Sequence, residues 1–212
     1  MRYRTRTLIV FVGAAVVCAS VVIANDAKTQ VFFGFDAPAR KEATRQKGAR
    51  TIKIFPHNIP RYDDISQLTK ASSAILVGSV VSQKSKLTSE SENTASTHYK
   101  LLVKDVVMGD LKKGATIDLR MAGAETVSVN GADVQVKMPD YWKMPQTSVT
   151  YVFFLQHTDF GDYALVGGPQ GMFQVSSNGI KPQGLAEDAL YRANKDLELK
   201  NFLQKVKAAL AG

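Results

Sequence analysis

The sequence predicts a mainly β domain with a helix at each end. Several short apolar runs rich in β-branched residues are separated by turn residues, and AILVGSVV at 74–81 is the longest of them outside the N-terminus. Near the C-terminus the apolar spacing changes to the helical period, between Glu187 and Leu210. The part of the chain that follows the N-terminal quarter is long enough for one domain with a single core.

The N-terminus has the charge order of a secretory signal. Arg2, Arg4 and Arg6 precede an uncharged run from Leu8 to Ala24. The run is longer than the roughly 7–15 residues of a signal core and shorter than the roughly 18–20 that span a bilayer. Residues 1–24 are therefore expected to be a cleaved signal peptide or a membrane anchor helix. Either way, the positive-inside rule places the rest of the chain outside the cytoplasm, secreted or anchored with its N-terminus in the cytoplasm.

The net charge of +8 is concentrated ahead of the predicted domain. Residues 1–53 carry ten Lys or Arg and three Asp or Glu, whereas residues 57–212 carry 17 and 16. Residues 25–60 are predicted to be a basic linker, either solvated or lying on anionic head groups or an anionic wall polymer. Cys18 lies in the apolar run and is the only cysteine, so no intramolecular disulfide forms.

The domain is expected to begin with a short helix and a bent strand. Asp63 or Asp64 is positioned to cap a helix that ends near Ala71. The strand at 74–81 follows directly. Its interior Gly78 indicates a sharp bend or the close approach of another backbone, as at the corner of a small barrel.

Further strands and turns follow from alternation and turn chemistry. A polar stretch at 82–97 predicts a strand end and a flexible loop, and strands are predicted at 99–107, 115–121, 148–156 and 163–166. Asn130-Gly131 between two alternating valine runs predicts a hairpin, and Asn178-Gly179 predicts a second one. Residues 184–212 are expected to form an amphipathic helix that packs on the β structure.

The residues that usually carry catalysis or bind metals are dispersed or absent. His57, His98 and His157 are the only histidines, and their separation gives no metal-ligand spacing. No Gly-x-Ser-x-Gly or Ser-x-x-Lys motif occurs, so no catalytic residue, cofactor or metal is predicted. Gly167-Gly168-Pro169-Gln170-Gly171 lacks the Lys-Ser/Thr of a phosphate loop and indicates a bend or bulge at a barrel corner.

The candidate contact patch lies in a proline-bounded loop. Tyr141 and Trp142, with Lys137 and Lys143 beside them, are the residues we expect to meet a partner if the loop is exposed. The alternative is that Trp142 plugs one end of a barrel. The sequence leaves both interpretations open.

The order of the pieces resembles a widespread group of uncharacterised extracytoplasmic bacterial domains. AILVGSVVS, VVMGDLKKG, VTYVFFL and YALVGGPQGMFQV match that group's strand motifs over about Ile65 to Pro182, although Met108 replaces the usual lysine. The resemblance implies a five- to seven-stranded OB-like barrel over residues 61–183, distantly similar to the netrin-like domain of metalloproteinase inhibitors. Inhibition in that family needs an N-terminal cysteine, and this domain has none, so only a fold is implied.

These features together predict a non-catalytic extracytoplasmic binding module, tethered to the membrane through residues 8–24 or secreted. An envelope protein or anionic polymer is the expected partner. One alternative is an extracytoplasmic hydrolase whose dispersed site includes His157 and Asp159. A lesser one is a single-stranded nucleic-acid-binding OB domain, which the near-neutral domain and the predicted location disfavour.

Overall fold

A computed structural model describes residues 51–54, 56, 58–88, 94–129 and 131–212 of the chain. The predictions for residues 1–50, His57 and Asn130 lie outside this part. Ten strands are described: β1 (Thr51–Lys53), β2 (Ala74–Thr88), β3 (Thr94–Met108), β4 (Thr116–Ala122), β5 (Thr126–Val129), β6 (Ala132–Lys137), β7 (Thr150–His157), β8 (Tyr163–Leu165), β9 (Met172–Ser176) and β10 (Gly179–Pro182). The helices are α1 (Ile65–Lys70), α2 (Ala189–Asn194) and α3 (Leu199–Ala211), and a short 3-10 helix spans Gly168–Gly171.

Five strands close into a barrel. Strands β2, β3 and β4 form an antiparallel meander, β8 pairs parallel with β4, and β7 pairs antiparallel with both β8 and β2. Strands β9 and β10 extend this sheet beyond β7. The predicted mainly β, OB-like barrel with a short N-terminal helix and a C-terminal helix is thus confirmed. Within the part of the chain that is described, no helix is long and apolar enough to cross a membrane.

Strand β2 connects the barrel to its neighbours and bends as Gly78 predicts. Its pairing with β3 shifts register at three places, one of them between Val77 and Gly78. A Cβ on Gly78 would lie 2.9 Å from the carbonyl oxygen of Leu102, so the two backbones approach too closely for a side chain.

Strand β7 is buried on both faces, which explains its nearly continuous apolar sequence. Tyr151, Phe153 and Leu155 belong to the core inside the barrel. Val152 and Phe154 face the opposite way, into a second core under α1 and α3. A strand shared between two cores cannot show the alternation that marks a half-exposed strand.

The polar stretch predicted as a strand end and a flexible loop is strand at 82–88 and 94–97. Residues 82–88 and 94–97 continue the β2–β3 hairpin well beyond the barrel. Thr97 is buried and donates from Oγ1 to the carbonyl oxygen of Gly123 at 2.8 Å, and Ala95 packs in a third core under β5 and β6. Burial of small and polar residues gives no apolar alternation, so the sequence did not reveal this strand.

The strands of both predicted hairpins pair as expected. Val127 pairs with Val134 across β5 and β6, and Gly131, directly before β6, has a φ of 78°. In the second hairpin Gly179 has a φ of 107° and pairs with Ser176. Strand β1, in the last residues of the predicted linker, adds parallel to β6 and completes a small three-stranded sheet.

The predicted C-terminal helix is interrupted. Helix α2 ends before Lys195, which is extended, and Asp196 has a φ of 63°. The amide of Asp196 donates to the carbonyl oxygen of Ile180 at 2.8 Å, and the amide of Ile180 donates to Leu197 at 2.7 Å. The segment between α2 and α3 therefore covers the edge of β10, and these tertiary hydrogen bonds replace helical ones.

Candidate functional site

A cavity with a volume of about 790 Å³ lies beside one end of the barrel. One wall comes from β6 and the loop that follows it, and the other comes from β10, the segment after it and α2. The lining residues are Ala124, Glu125, Val136, Met138, Asp140, Tyr141, Trp142, Lys143, Met144, Gln146, Tyr151, Gln174, Lys181, Pro182, Gln183, Gly184, Leu185, Ala186 and Tyr191.

Trp142 forms part of the barrel core as well as the cavity wall. Its side chain is 6% exposed and packs with the residues inside the barrel. The indole Nε1 donates to the carbonyl oxygen of Ala122 at 2.9 Å, which satisfies the only polar group of the ring. This burial corresponds to the plug interpretation of Trp142.

The other three residues of the predicted patch have different positions. Tyr141 is 39% exposed and lines the cavity, as does the exposed Lys143. Lys137 ends β6, pairs with Lys53 of β1 and is not among the lining residues. The structure therefore brings Tyr141, Trp142 and Lys143 to one cavity and leaves Lys137 outside it.

The floor of the cavity contains a buried phenol. Tyr151 is 2% exposed, and its hydroxyl oxygen accepts a hydrogen bond of 3.0 Å from the amide of Gln146. Burial raises the pKa of Tyr151, so the group stays protonated at neutral pH. No acceptor for the phenol proton is found among the described residues, which leaves this donor available to a ligand.

The charges around the cavity are balanced. Glu125 and Asp140 are acidic, Lys143 and Lys181 are basic, and none of the four forms an ion pair with another described residue. The lining contains no histidine, cysteine, serine or threonine. The described wall thus offers no Ser, Thr or Cys nucleophile and no histidine to activate one.

Sequence analysis missed the second wall of the cavity. Gln174, Lys181, Gln183 and Tyr191 lie some thirty to fifty residues beyond the predicted loop, and no motif links them to it. Gln183 is held in place because its Nε2 donates to the carbonyl oxygen of Lys181 at 2.8 Å. Only the packing of β9 and β10 on β7 brings this wall to Tyr141.

The glycine-rich segment packs closely against the barrel end. Gly168 has a φ of 58°, and a Cβ there would lie 2.9 Å from Cη2 of Trp142. A Cβ on Gly171 would lie 2.3 Å from the carbonyl oxygen of Val166. These positions need glycine because the backbone touches the Trp142 ring and its own preceding strand.

Gln170 joins this segment to two others. Its Oε1 accepts from the amide of Tyr62 at 3.0 Å, and its Nε2 donates to a carboxylate oxygen of Asp188 at 2.8 Å. Asp188 lies 4.0 Å from the guanidinium of Arg61. The buried amide thus fixes the start of the domain and the start of α2 to the barrel.

The histidines are not assembled into a site. The His157 ring packs edge-on against Tyr163 with 5.1 Å between centroids, and the described residues include no hydrogen bond between His157 and Asp159. His98 lies on β3 opposite Lys84 and Arg120. No cluster of three His, Cys, Asp or Glu suited to a metal occurs in the described part of the chain.

The fold and cavity define an OB-like β-barrel protein with an amphipathic cavity beside one barrel end. Comparison of the chain with protein-family models found no match, and comparison with curated proteins found none that is significantly similar. The function must therefore be inferred from the site itself.

Proposed function

We propose that this protein is a non-catalytic binding module that acts outside the cytoplasm, secreted or tethered through residues 8–24. Its ligand would be a component of the cell envelope, a protein or a polymer. The leader sequence and the resemblance to extracytoplasmic OB-like domains support this location. The binding role rests on the cavity.

One observation carries the proposal: the wide cavity between the 138–146 loop and the segment after β10. It combines aromatic and aliphatic side chains with a few polar groups, as ligand sites generally do. Its charged side chains form no ion pair within the described part of the chain, which leaves them available to a ligand. Tyr141 provides an exposed aromatic surface at the rim.

The hydrolase alternative receives less support from the geometry. His157 is exposed and packs against Tyr163 at the other end of β7 from Tyr151. A general base must lie within hydrogen-bond reach of a nucleophile or a positioned water. The cavity offers neither a histidine nor a hydroxyl nucleophile from Ser or Thr.

Nucleic acid is also less well supported. The outer face of β2, β3 and β4 carries several cations, but Arg120 lies 3.3 Å from Asp162 and Lys100 lies 2.7 Å from Asp118. Lys84, Lys86 and Lys104 are the cations that remain without an acidic partner among the described residues of this face. Phosphate backbones are bound by larger excesses of positive charge.

The test is co-sedimentation of the purified full chain with the envelope fraction of the source cells. We expect the wild-type protein to sediment with the envelopes and Tyr141→Ala to do so at least about tenfold more weakly. Phe160→Ala is the matched control, because Phe160 is 79% exposed and lies away from the cavity.

Two results would contradict the proposal. One is equal sedimentation of the wild-type protein and Tyr141→Ala. The other is hydrolysis of a peptide, ester or glycan substrate that a single substitution within the domain abolishes.

A further inference from the structure

We infer that the ligand of this cavity is an uncharged saccharide chain. This inference rests on the proposed function, because it names the ligand class of the same site. The cavity offers ring faces, side-chain amides, a buried hydroxyl donor and no net charge, and each of these properties matches a polyhydroxylated ligand.

The aromatic surface is the first element. Tyr141 is 39% exposed at the rim, and the ring of Trp142 forms part of the wall. A sugar ring presents a face of C–H groups that packs against an aromatic face, while its hydroxyls remain free to hydrogen-bond at the edge. Tyrosine is suited to this role because its ring is apolar and its tip is polar.

The polar groups are the second element. The side-chain amides of Gln146 and Gln174 line the cavity and form no hydrogen bond with another described residue. Each amide offers a donor and an acceptor side by side, which matches two adjacent sugar hydroxyls. The phenol of Tyr151 adds a proton donor whose oxygen is already held by Gln146. A site built to hydrogen-bond the hydroxyls of a ligand rejects analogues that lack them.

Charge disfavours a polyanion at this site. Glu125 and Asp140 offset Lys143 and Lys181 around the cavity. A polyanionic ligand would have to approach the two carboxylates with no excess of cations to compensate. An uncharged chain meets no such cost.

The strand edges disfavour an extended peptide. Peptides often bind by adding a strand to an open sheet edge. At β10 this edge is covered, because Ile180 exchanges hydrogen bonds with Asp196 and Leu197, and Pro182 has no amide proton. Strand β6 pairs with β1 on one side and β5 on the other. Within the described residues, neither β6 nor β10 therefore has a free edge for main-chain pairing.

The experiment uses the fluorescence of Trp142, the only tryptophan in the chain. The purified full chain is titrated with tetrasaccharides of N-acetylglucosamine, β-linked glucose, α-linked glucose and mannose, each up to about 10 mM. We expect at least one probe to give a saturable change in emission. Because Trp142 lines the cavity, the signal reports occupancy directly.

Substitutions locate the binding. Tyr141→Ala and Gln174→Ala are each expected to weaken it about tenfold, and Tyr151→Phe at least about fivefold, whereas Phe160→Ala stays within about twofold of wild type. Circular dichroism confirms that each variant is folded. No response to any tetrasaccharide, or equal weakening by Phe160→Ala, would overturn the inference.

Treatment of the envelopes separates this inference from the proposed function. An excess of the tetrasaccharide that binds is expected to abolish co-sedimentation with the envelopes, and protease treatment is expected to leave it intact. The reverse pattern would refute the saccharide ligand while supporting a binding module with a protein partner. If sedimentation did not depend on Tyr141 under any of these conditions, both the saccharide ligand and the proposed binding function would be refuted.

Discussion

Two features make Gly168 a position for glycine: its φ is 58°, and its backbone lies against the ring of Trp142. Substitutions can separate the contribution of each feature to stability. We expect Gly168→Ala to lower the free energy of unfolding by about 2–4 kcal/mol, from backbone strain and from the clash with the ring. Urea unfolding followed by Trp142 fluorescence measures this loss.

Gly161→Ala is the matched control, because Gly161 has a φ of 80° and no atom within 4 Å of a Cβ there. It should lose only the backbone contribution, about 1 kcal/mol. Equal losses for the two variants would mean that contact with Trp142 adds nothing to the requirement for glycine.

Gln170 is a buried residue whose role is structural. Gln170→Leu removes the hydrogen bonds to Tyr62 and Asp188 and leaves both partners unsatisfied, so we expect a loss of about 1–3 kcal/mol in the free energy of unfolding. The exposed Gln204 of α3 provides the control substitution Gln204→Leu. Thermal unfolding with unchanged stability for Gln170→Leu would refute this role.

His98 makes stability depend on pH. Burial, then Lys86 and Arg120, lower the pKa of His98 below its ordinary value of 6.5, while Asp162 and Asp118 oppose the shift. Around the pKa, the folded state therefore binds fewer protons than the unfolded state. The stability contributed by neutral His98 is fully present above pH 6.5 and is lost as the pH falls through the lowered pKa.

We expect the wild-type protein to lose more stability than His98→Gln between pH 7.5 and pH 5 in urea unfolding, since glutamine does not titrate. Parallel losses in the two proteins would show that His98 does not contribute. Lys84 also lies opposite His98 on β2, so the experiment is done at constant ionic strength.

At the scale of elements, α3 is held to the sheet by one aromatic cluster. The Phe202 ring lies 4.7 Å from that of Phe173 and 6.4 Å from that of Phe154, measured between centroids. We expect Phe202→Ala to cost about 3–5 kcal/mol, because it leaves a cavity between the helix and β7 and β9. Leu210→Ala, at a residue that is 40% exposed, should change stability by about 0.5 kcal/mol or less in the same urea titration.

The elements also differ in how well they could be predicted. Helix α1 was predicted because Asp64 caps it locally, accepting from the amide of Gln67 at 2.8 Å. The β2–β3 extension and the break near Asp196 were missed. Both depend on contacts between residues that are distant in the sequence. The β2–β3 extension packs against β5 and β6, and the break near Asp196 forms hydrogen bonds with Ile180.

At the scale of the whole molecule, the proposed location outside the cytoplasm predicts the behaviour of fusions. Alkaline phosphatase becomes active only outside the cytoplasm. We therefore expect alkaline phosphatase fused to the C-terminus of the full chain to be active, and the same fusion without residues 2–24 to be inactive. The intact mass of the recovered chain then distinguishes a cleaved signal from a retained anchor. An inactive full-length fusion that is present at normal levels would contradict the proposed location.

The sequence by itself determined the fold class, the first helix and the two hairpins, because capping, alternation and Asn-Gly turns act between near neighbours in the chain. It also placed Tyr141, Trp142 and Lys143 in one loop. Only the tertiary structure decided that Trp142 is buried while Tyr141 stays exposed, and that Gln174, Lys181 and Tyr191 face them across a cavity. The physical reason is that barrel closure and the packing of β9 and β10 on β7 set the distance between the two cavity walls. No signal between near neighbours in the sequence encodes that distance.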